Sequence, residues 1–397
     1  MQNLEDITTL AIDTSCDETS VAVVSGRQIL ANELPSQMEY HSKFGGVVPS
    51  LAKLAHSERI NNVVDQALKR SGVSMDQIDL IAVTYGPGLA IALEIGLKKA
   101  KELAVRYKKP LIAINHMEGH LLSSLAVPNS KKSSKSYIPK FPALGFLISG
   151  GHTELILVRD FGSYLKLGET LDDSCGEAYD KCGRILGFGY PAGPVISKIA
   201  KENRKNFELK TVKDNLSTKA ICTNKSTGEV FELPVAMARS GDLNFSYSGL
   251  KTAFKQLVEG LSGNKLTHQK EVQGESSLSK EQIVAFCVLF EAAAIEQLKI
   301  KLAKALKENQ IEQVWLGGGV IASARLRSEL RKVAKAFGAD LLYPYTKKLT
   351  GDNAAMIALA ANYKIAKIGL TNLAHDPVSG IWLKDFEKLD RDPSLTF

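Results

Sequence analysis

Two stretches of this chain repeat one pattern, and that repeat limits the fold more than any other feature. Leu10–Asp13, a polar turn over Thr14–Ser20 and Val21–Val24 form the first copy. Leu144–Ile148, a turn over Ser149–Glu154 and Leu155–Val158 form the second. In each, the flanking runs are apolar and β-prone, and the turn holds small hydroxyl or glycine residues that leave backbone N–H groups free. Two such hairpins about 130 residues apart predict an internal duplication, with one lobe beginning near Leu10 and the other near Ala143.

Each half then alternates strand with helix, the pattern of α/β lobes. In the first, Ile78–Thr84 reads as a strand, Leu89–Tyr107 as a helix, Pro110–Asn115 as a strand and His116 to about Ala126 as a helix. In the second, Gln313–Leu316 is a strand, Gly317-Gly318-Gly319 a turn and Ser323–Phe337 a helix, while Asp352–Lys364 forms a helix with Asp352 at its start. The expected division is 1–139 and 140–397, the second lobe carrying a largely helical insertion, and the last segment packing back on the first lobe. Pro128–Lys140 and Ser262–Gln282 are polar and read as an insertion and a loop.

Composition narrows the class. Of 397 residues, 44% are hydrophobic and 23% charged, as in an ordinary globular protein, so disorder throughout and a disulfide scaffold are excluded. Five scattered cysteines without a C-x-x-C imply reduced thiols. The longest apolar stretches, Ile283–Phe290 and Leu80–Leu93, fall short of the roughly 20 residues a bilayer needs, so no membrane partner is expected. A net charge of +7 permits a phosphate-rich partner without demanding one. Lys98, Lys99 and Arg325 are candidates for such a surface.

The sharpest local signal is His116-Met117-Glu118-Gly119-His120. Histidines four apart share a helix face, and here they follow a strand, so both imidazoles can reach one divalent ion. Asp352 is the candidate third ligand, while two histidines capping a helix or facing solvent are the competing reading. A metalloprotease is disfavoured, because Glu118 lies about 200° around the helix from His116. Ser149-Gly150-Gly151-His152-Thr153 and the glycines at 317–319 are turns that an anion can approach closely. Asp17 and Glu18 are adjacent carboxylates in the first turn, and Asp180 is a candidate acceptor for a ribose.

Taken in order, these motifs resemble the TsaD family, within the two-lobed actin/hexokinase/Hsp70-like (ASKHA) fold. The match runs through Ile12–Ser20, Thr84–Leu89, Asn115–His120, Ile148–Thr153, Gly176–Lys181, Tyr190–Pro194, Phe245–Lys251, Gly318–Val320 and Thr350–Ala354. The resemblance implies transfer of a threonylcarbamoyl group from threonylcarbamoyl-adenylate to the 6-amino group of the adenosine 3′ of the anticodon, in tRNAs reading codons that start with A. It implies one iron or zinc ion on His116, His120 and Asp352. It places the donor's nucleotide, or ATP or AMP in the same cleft, on Leu147, Ile148, Ser149, Gly150, Gly151, Asp180, Gly193, Ser197 and Ser323. A general-base role for Asp17 and Glu18 is our own assignment.

Two positions depart from the family pattern: many members carry Asp at Ser197 and Asn at Ser323. The Ser-Gly-Gly-His-Thr turn is the bacterial form. Lysine- and serine-rich insertions at 131–140 and 262–282 point to a mitochondrial enzyme without its presequence, with the bacterial cytoplasm as the alternative. The expected partners are tRNA, a synthase that supplies the donor, and a second copy of the chain. A small-molecule kinase of the same fold and a non-catalytic nucleotide-binding scaffold are the rival readings.

Overall fold

The computed structural model describes residues 3–35, 49–128, 138–215, 217–262, 278–370 and 388–397. Most of both polar insertions therefore lies outside the described residues. The duplication is visible in the sheets. Strands β1 (Thr8–Asp13), β2 (Ser20–Ser25), β3 (Gln28–Glu33), β4 (Leu80–Gly86) and β5 (Leu111–Asn115) form a sheet of order β3-β2-β1-β4-β5. Strands β6 (Ala143–Ile148), β7 (Thr153–Asp160), β8 (Ser163–Glu169), β12 (Gln313–Gly317) and β13 (Asp340–Leu342) form another, of order β8-β7-β6-β12-β13. In each, the first three strands are an antiparallel meander and the last two add parallel to the first strand.

Strand alternation sorts the side chains between two cores. Leu10, Ile12, Val21 and Val23 face outward onto helices α1 (Pro49–Ser71) and α2 (Ala90–Tyr107). Ala11, Ala22 and Val24 face inward and join Leu147, Ile156 and Val158 of the second sheet in a shared core. Two helices fill that inner layer: α3 (His116–Leu122) and α9 (Ala354–Ile368). Helix α9 is apolar on nearly every side, as a helix buried between two sheets must be. Its fully buried polar residue, Asn362, is bonded on both sides, accepting from Thr9 Oγ1 at 2.5 Å and donating to the Gly26 carbonyl at 2.8 Å.

The outer face of the second sheet carries α4 (Cys175–Ile185), α5 (Gly193–Asn203), α6 (Ser248–Ser262), α7 (Lys280–Glu308) and α8 (Ala324–Ala336). The insertion expected to be helical also contains a three-stranded antiparallel sheet, β9 (Phe207–Lys213), β10 (Thr218–Asn224) and β11 (Val230–Pro234). Its middle strand buries Thr218, Ala220 and Cys222 on alternate positions, a period of two that its polar residues mask in the sequence. The segment 388–397 runs along the first sheet: Asp392 N donates to the Tyr85 carbonyl at 2.8 Å and Asn115 Nδ2 to the Thr396 carbonyl at 3.1 Å. Among the described residues, no helix is long and apolar enough to cross a membrane.

Candidate metal centre and anion-facing turn

Strand β5 ends at Asn115, whose side chain accepts from Met117 N at 2.8 Å and so starts α3 at once. His116 and His120 then lie one turn apart, with ring centroids 4.7 Å from each other. Both are buried. Helix α9 approaches from the second half of the chain. Asn353, not Asp352, is its N-cap, accepting from Met356 N at 3.2 Å. That leaves the Asp352 carboxylate clear of the helix and turned toward the histidines: Oδ1 is 3.0 Å from His120 Nε2 and 3.4 Å from His116 Nε2. Ala354 N donates to Ser20 Oγ at 2.9 Å, which pins this helix start beside the first turn.

A close crossing makes the approach feasible. A Cβ on Gly119 would lie 2.8 Å from Ile357 Cδ1 and 3.0 Å from Met356 Cγ. Glycine here lets α3 and α9 meet without displacing these two side chains. Sequence reading singled out neither Gly119 nor Asp13. The Asp13 carboxylate, buried at the end of β1, has Oδ2 3.5 Å from His116 Nδ1. Its signal was available: an acid that closes an otherwise apolar strand.

The electrostatics of the pocket are strongly anionic. Glu18 is pushed up to about 8 by burial and then by the carboxylates of Asp352, Asp17 and Asp13. Burial acts against charge on His116, but Asp352 and Asp13 outweigh it and raise the imidazole to about 10. His152, on the facing turn, is lowered to about 4, first by burial and then by the His116 and His120 rings. Carboxylates that hold a proton on a buried imidazole will also favour a metal cation in its place. The donor set fits one: one atom each from His116, His120 and Asp352 lie within 4.8 Å of one another. Two donors each about 2.0–2.2 Å from one tetrahedral ion lie roughly 3.3–3.6 Å apart, close to the 3.0 and 3.4 Å that separate Asp352 Oδ1 from the two imidazole nitrogens.

The second turn is built differently. Leu147 and Ile148 end β6 with their side chains in the core, so they offer a ligand only backbone. Ser149 N donates to the His152 carbonyl at 2.8 Å and closes the turn. A Cβ on Gly150 or Gly151 would meet nothing within 4 Å, so their glycine character leaves open space and serves no packing need. The turn rests on the start of α4, where Gly176 N reaches the Ser149 carbonyl at 3.2 Å. Gly318, at φ 95°, lies against the Ile148 carbonyl, and Gly317 lies against the carbonyl of His120. The anion-facing turn and the histidine helix are therefore neighbours.

A family model described as tRNA N6-adenosine threonylcarbamoyltransferase, TsaD, matches residues 28–359. The chain belongs to the TsaD family. A relative of that description from Thermodesulfovibrio yellowstonii is 39% identical over 364 residues, covering 92% of this chain and 96% of the relative. One from Bacillus subtilis is 37% identical over 395 residues, covering 98% and 100%. Among solved structures, full-length HypF in its phosphate- and nucleotide-bound form aligns with 92% of this chain and 47% of its own, at TM-score 0.52 and 11% identity. That likeness concerns the fold, which is the two-lobed actin/hexokinase/Hsp70-like one.

The remaining expected residues of this TsaD chain are placed as follows. Asp180 Oδ1 accepts from Ala192 N at 2.8 Å and Gly193 N at 3.2 Å, so that oxygen caps α5 and only Oδ2 is left for a ribose. Ser323 caps α8, accepting from Leu326 N at 3.3 Å. Ser197 is half-buried on α5 and bonds to Tyr179. Asp17 and Glu18 are part-exposed in the first turn. Two of the basic candidates are paired within the chain. Arg325 is 13% exposed and bonds to the buried Glu291 at 2.7 Å, and the Lys99 side chain, 11% exposed, pairs with Glu102. Arg325 is thereby held inside the fold, whereas the Lys99–Glu102 pair lies where Glu102 is half-exposed. Glu118 points away from the imidazoles, as its spacing required, and meets Lys364 and Tyr164 instead.

Proposed function

We propose that this chain modifies tRNA as its family does, moving the threonylcarbamoyl group from threonylcarbamoyl-adenylate to the 6-amino group of the adenosine 3′ of the anticodon. The observation that carries this reading is the convergence of His116, His120 and Asp352 beside the open glycine turn, in a chain 39% identical to a relative of that description. The amine nitrogen attacks the carbamoyl carbon, the bond from that carbon to the phosphate oxygen breaks, and AMP departs with the electron pair. The ammonium proton passes to a carboxylate, a role we assign to Glu18 and Asp17. Backbone N–H groups of Gly150 and Gly151 would meet the departing phosphate, and Asp180 Oδ2 and Ser197 its ribose. His116, His120 and Asp352 would hold one iron or zinc ion, and such an ion supplies Lewis acidity toward a donor oxygen. Asp13, beside His116 Nδ1, would fix the ring so that Nε2 stays a ligand.

The test is a reconstitution. The protein is mixed with a synthase that makes threonylcarbamoyl-adenylate, ATP, threonine, bicarbonate and unmodified tRNA, and the digested tRNA is read by mass spectrometry for threonylcarbamoyladenosine. Product from wild type and none from Asp352→Ala is expected. With the synthase shown to be active, absence of product even after the accessory proteins of a bacterial relative are added would refute the reading. The proposed assembly is a homodimer, for which light scattering should give twice the chain's 43.1 kDa. The basic balance and the lysine- and serine-rich insertions support a mitochondrial compartment, whereas the bacterial sources of the relatives support the alternative. Fractionation of the source cells separates the two.

A further inference from the structure

Glu118 belongs to the His-Met-Glu-Gly-His run, yet the transfer chemistry leaves it without a part. It is 2% exposed and lies on the face of α3 opposite the imidazoles. A buried carboxylate is costly unless both oxygens are satisfied. Here both are: Oε1 accepts from Tyr164 OH at 2.7 Å, and Oε2 meets Lys364 Nζ at 2.8 Å. These partners come from separate bodies of structure. Tyr164 is on β8 of the second sheet, and Lys364 is on α9, the helix whose start presents Asp352. Helix α3 has only 7 residues, too few to fix its own orientation by length. Asn115 holds its beginning and Gly119 sets its depth against α9. Rotation about its axis remains. A turn of about 10° moves an atom ~6 Å from that axis by about 1 Å, which is enough to spoil a metal or reaction geometry.

We propose that Glu118 is a positioning residue: held by Lys364 and Tyr164, it sets the rotation of α3 and thereby how His116 and His120 meet Asp352. The inference rests on the metal reading above. It differs from a purely stabilising ion pair in what each disturbs. A stabilising pair affects the melting temperature alone, whereas a positioning pair also alters the bound ion's surroundings.

The experiment titrates Zn2+ and Co2+ into purified wild type, Asp352→Ala, Glu118→Gln and Tyr164→Phe, recording affinity, the visible Co2+ spectrum and the melting temperature. Glu118→Gln is expected to bind about tenfold more weakly, as outer-shell substitutions at metal sites do, and to shift the Co2+ bands. Tyr164→Phe should do the same to a smaller degree, and it decides the matter if Glu118→Gln does not fold. The double variant Glu118→Gln/Lys364→Met removes both charges, so its melting temperature should recover while its affinity stays low. Wild type binding no better than Asp352→Ala would overturn the metal reading itself. Wild type outbinding Asp352→Ala while Glu118→Gln matches wild type in affinity and spectrum would overturn this inference alone.

Discussion

The turn after β1 and the turn after β6 hold equivalent places in two sheets of one topology, yet they present opposite chemistry. The first is flanked by Asp13 and carries Asp17 and Glu18, and it receives Asp352 from α9. The second carries Ser149, Gly150 and Gly151, with open space where side chains would be. The first gathers carboxylates, and the second offers backbone with open space above it. The difference shows how a duplicated scaffold makes an asymmetric site: one strand order carries both turns, and the residues in and around each turn set its chemistry.

The largest effect is expected at the carboxylate-rich half of the site. Asp352→Ala removes the carboxylate that both imidazoles approach, and transfer activity should fall by more than about a hundredfold, since even outer-shell changes cost about 10–100-fold. Single-turnover assays with donor in excess would measure this, and activity near wild type would remove the metal from the mechanism. At the glycine turn, Gly151→Val fills open space, so the melting temperature should hold while donor affinity falls by about tenfold to a hundredfold. Equal donor affinity would show that the second turn does not face the donor.

Gly119→Val tests the crossing that joins the two halves. Its added carbons meet Ile357 and Met356, and overpacking of this kind costs about 1–3 kcal/mol in chemical denaturation. The smallest effect concerns pH. The folded-state value of Glu18, about 8, lies above the 4.5 of a free glutamate, so the metal-free fold favours the protonated form. Its contribution to stability is therefore present below about 4.5 and is lost as pH rises through about 8. Metal-free Glu18→Gln, which stays neutral, should gain on wild type in melting temperature from pH 5 to pH 9. A constant difference across that range would mean that the first turn is less crowded with negative charge than its geometry indicates.

Much of this was legible in the residues. The hairpin pair announced the duplication, since an apolar run, a small polar turn and a second apolar run can hardly pack otherwise. His116 and His120 announced a shared face, because helical spacing alone aligns them. The small sheet at β9–β11 was hidden, because its exposed face is polar and its buried face is formed by Thr218, Ala220 and Cys222, which carry little hydrophobic signal. Arg325 read as surface charge, although Glu291, 34 residues away in sequence, holds it inside.

Neighbouring residues are enough to specify the local devices: two kinds of turn, a histidine pair on one helix face, and a capped helix start beside Asp352. Each depends on residues within a few positions of one another, where backbone geometry leaves little choice. Only the tertiary structure decided that Asp352 reaches His120 across 232 positions, that Asp13 stands behind His116, and that Glu118 ties α3 to both lobes. Those contacts depend on how closely two helices and two sheets can approach. That distance is set by small residues such as Ala11, Ala22 and Gly119, whose effect appears only when the opposing surface is in place.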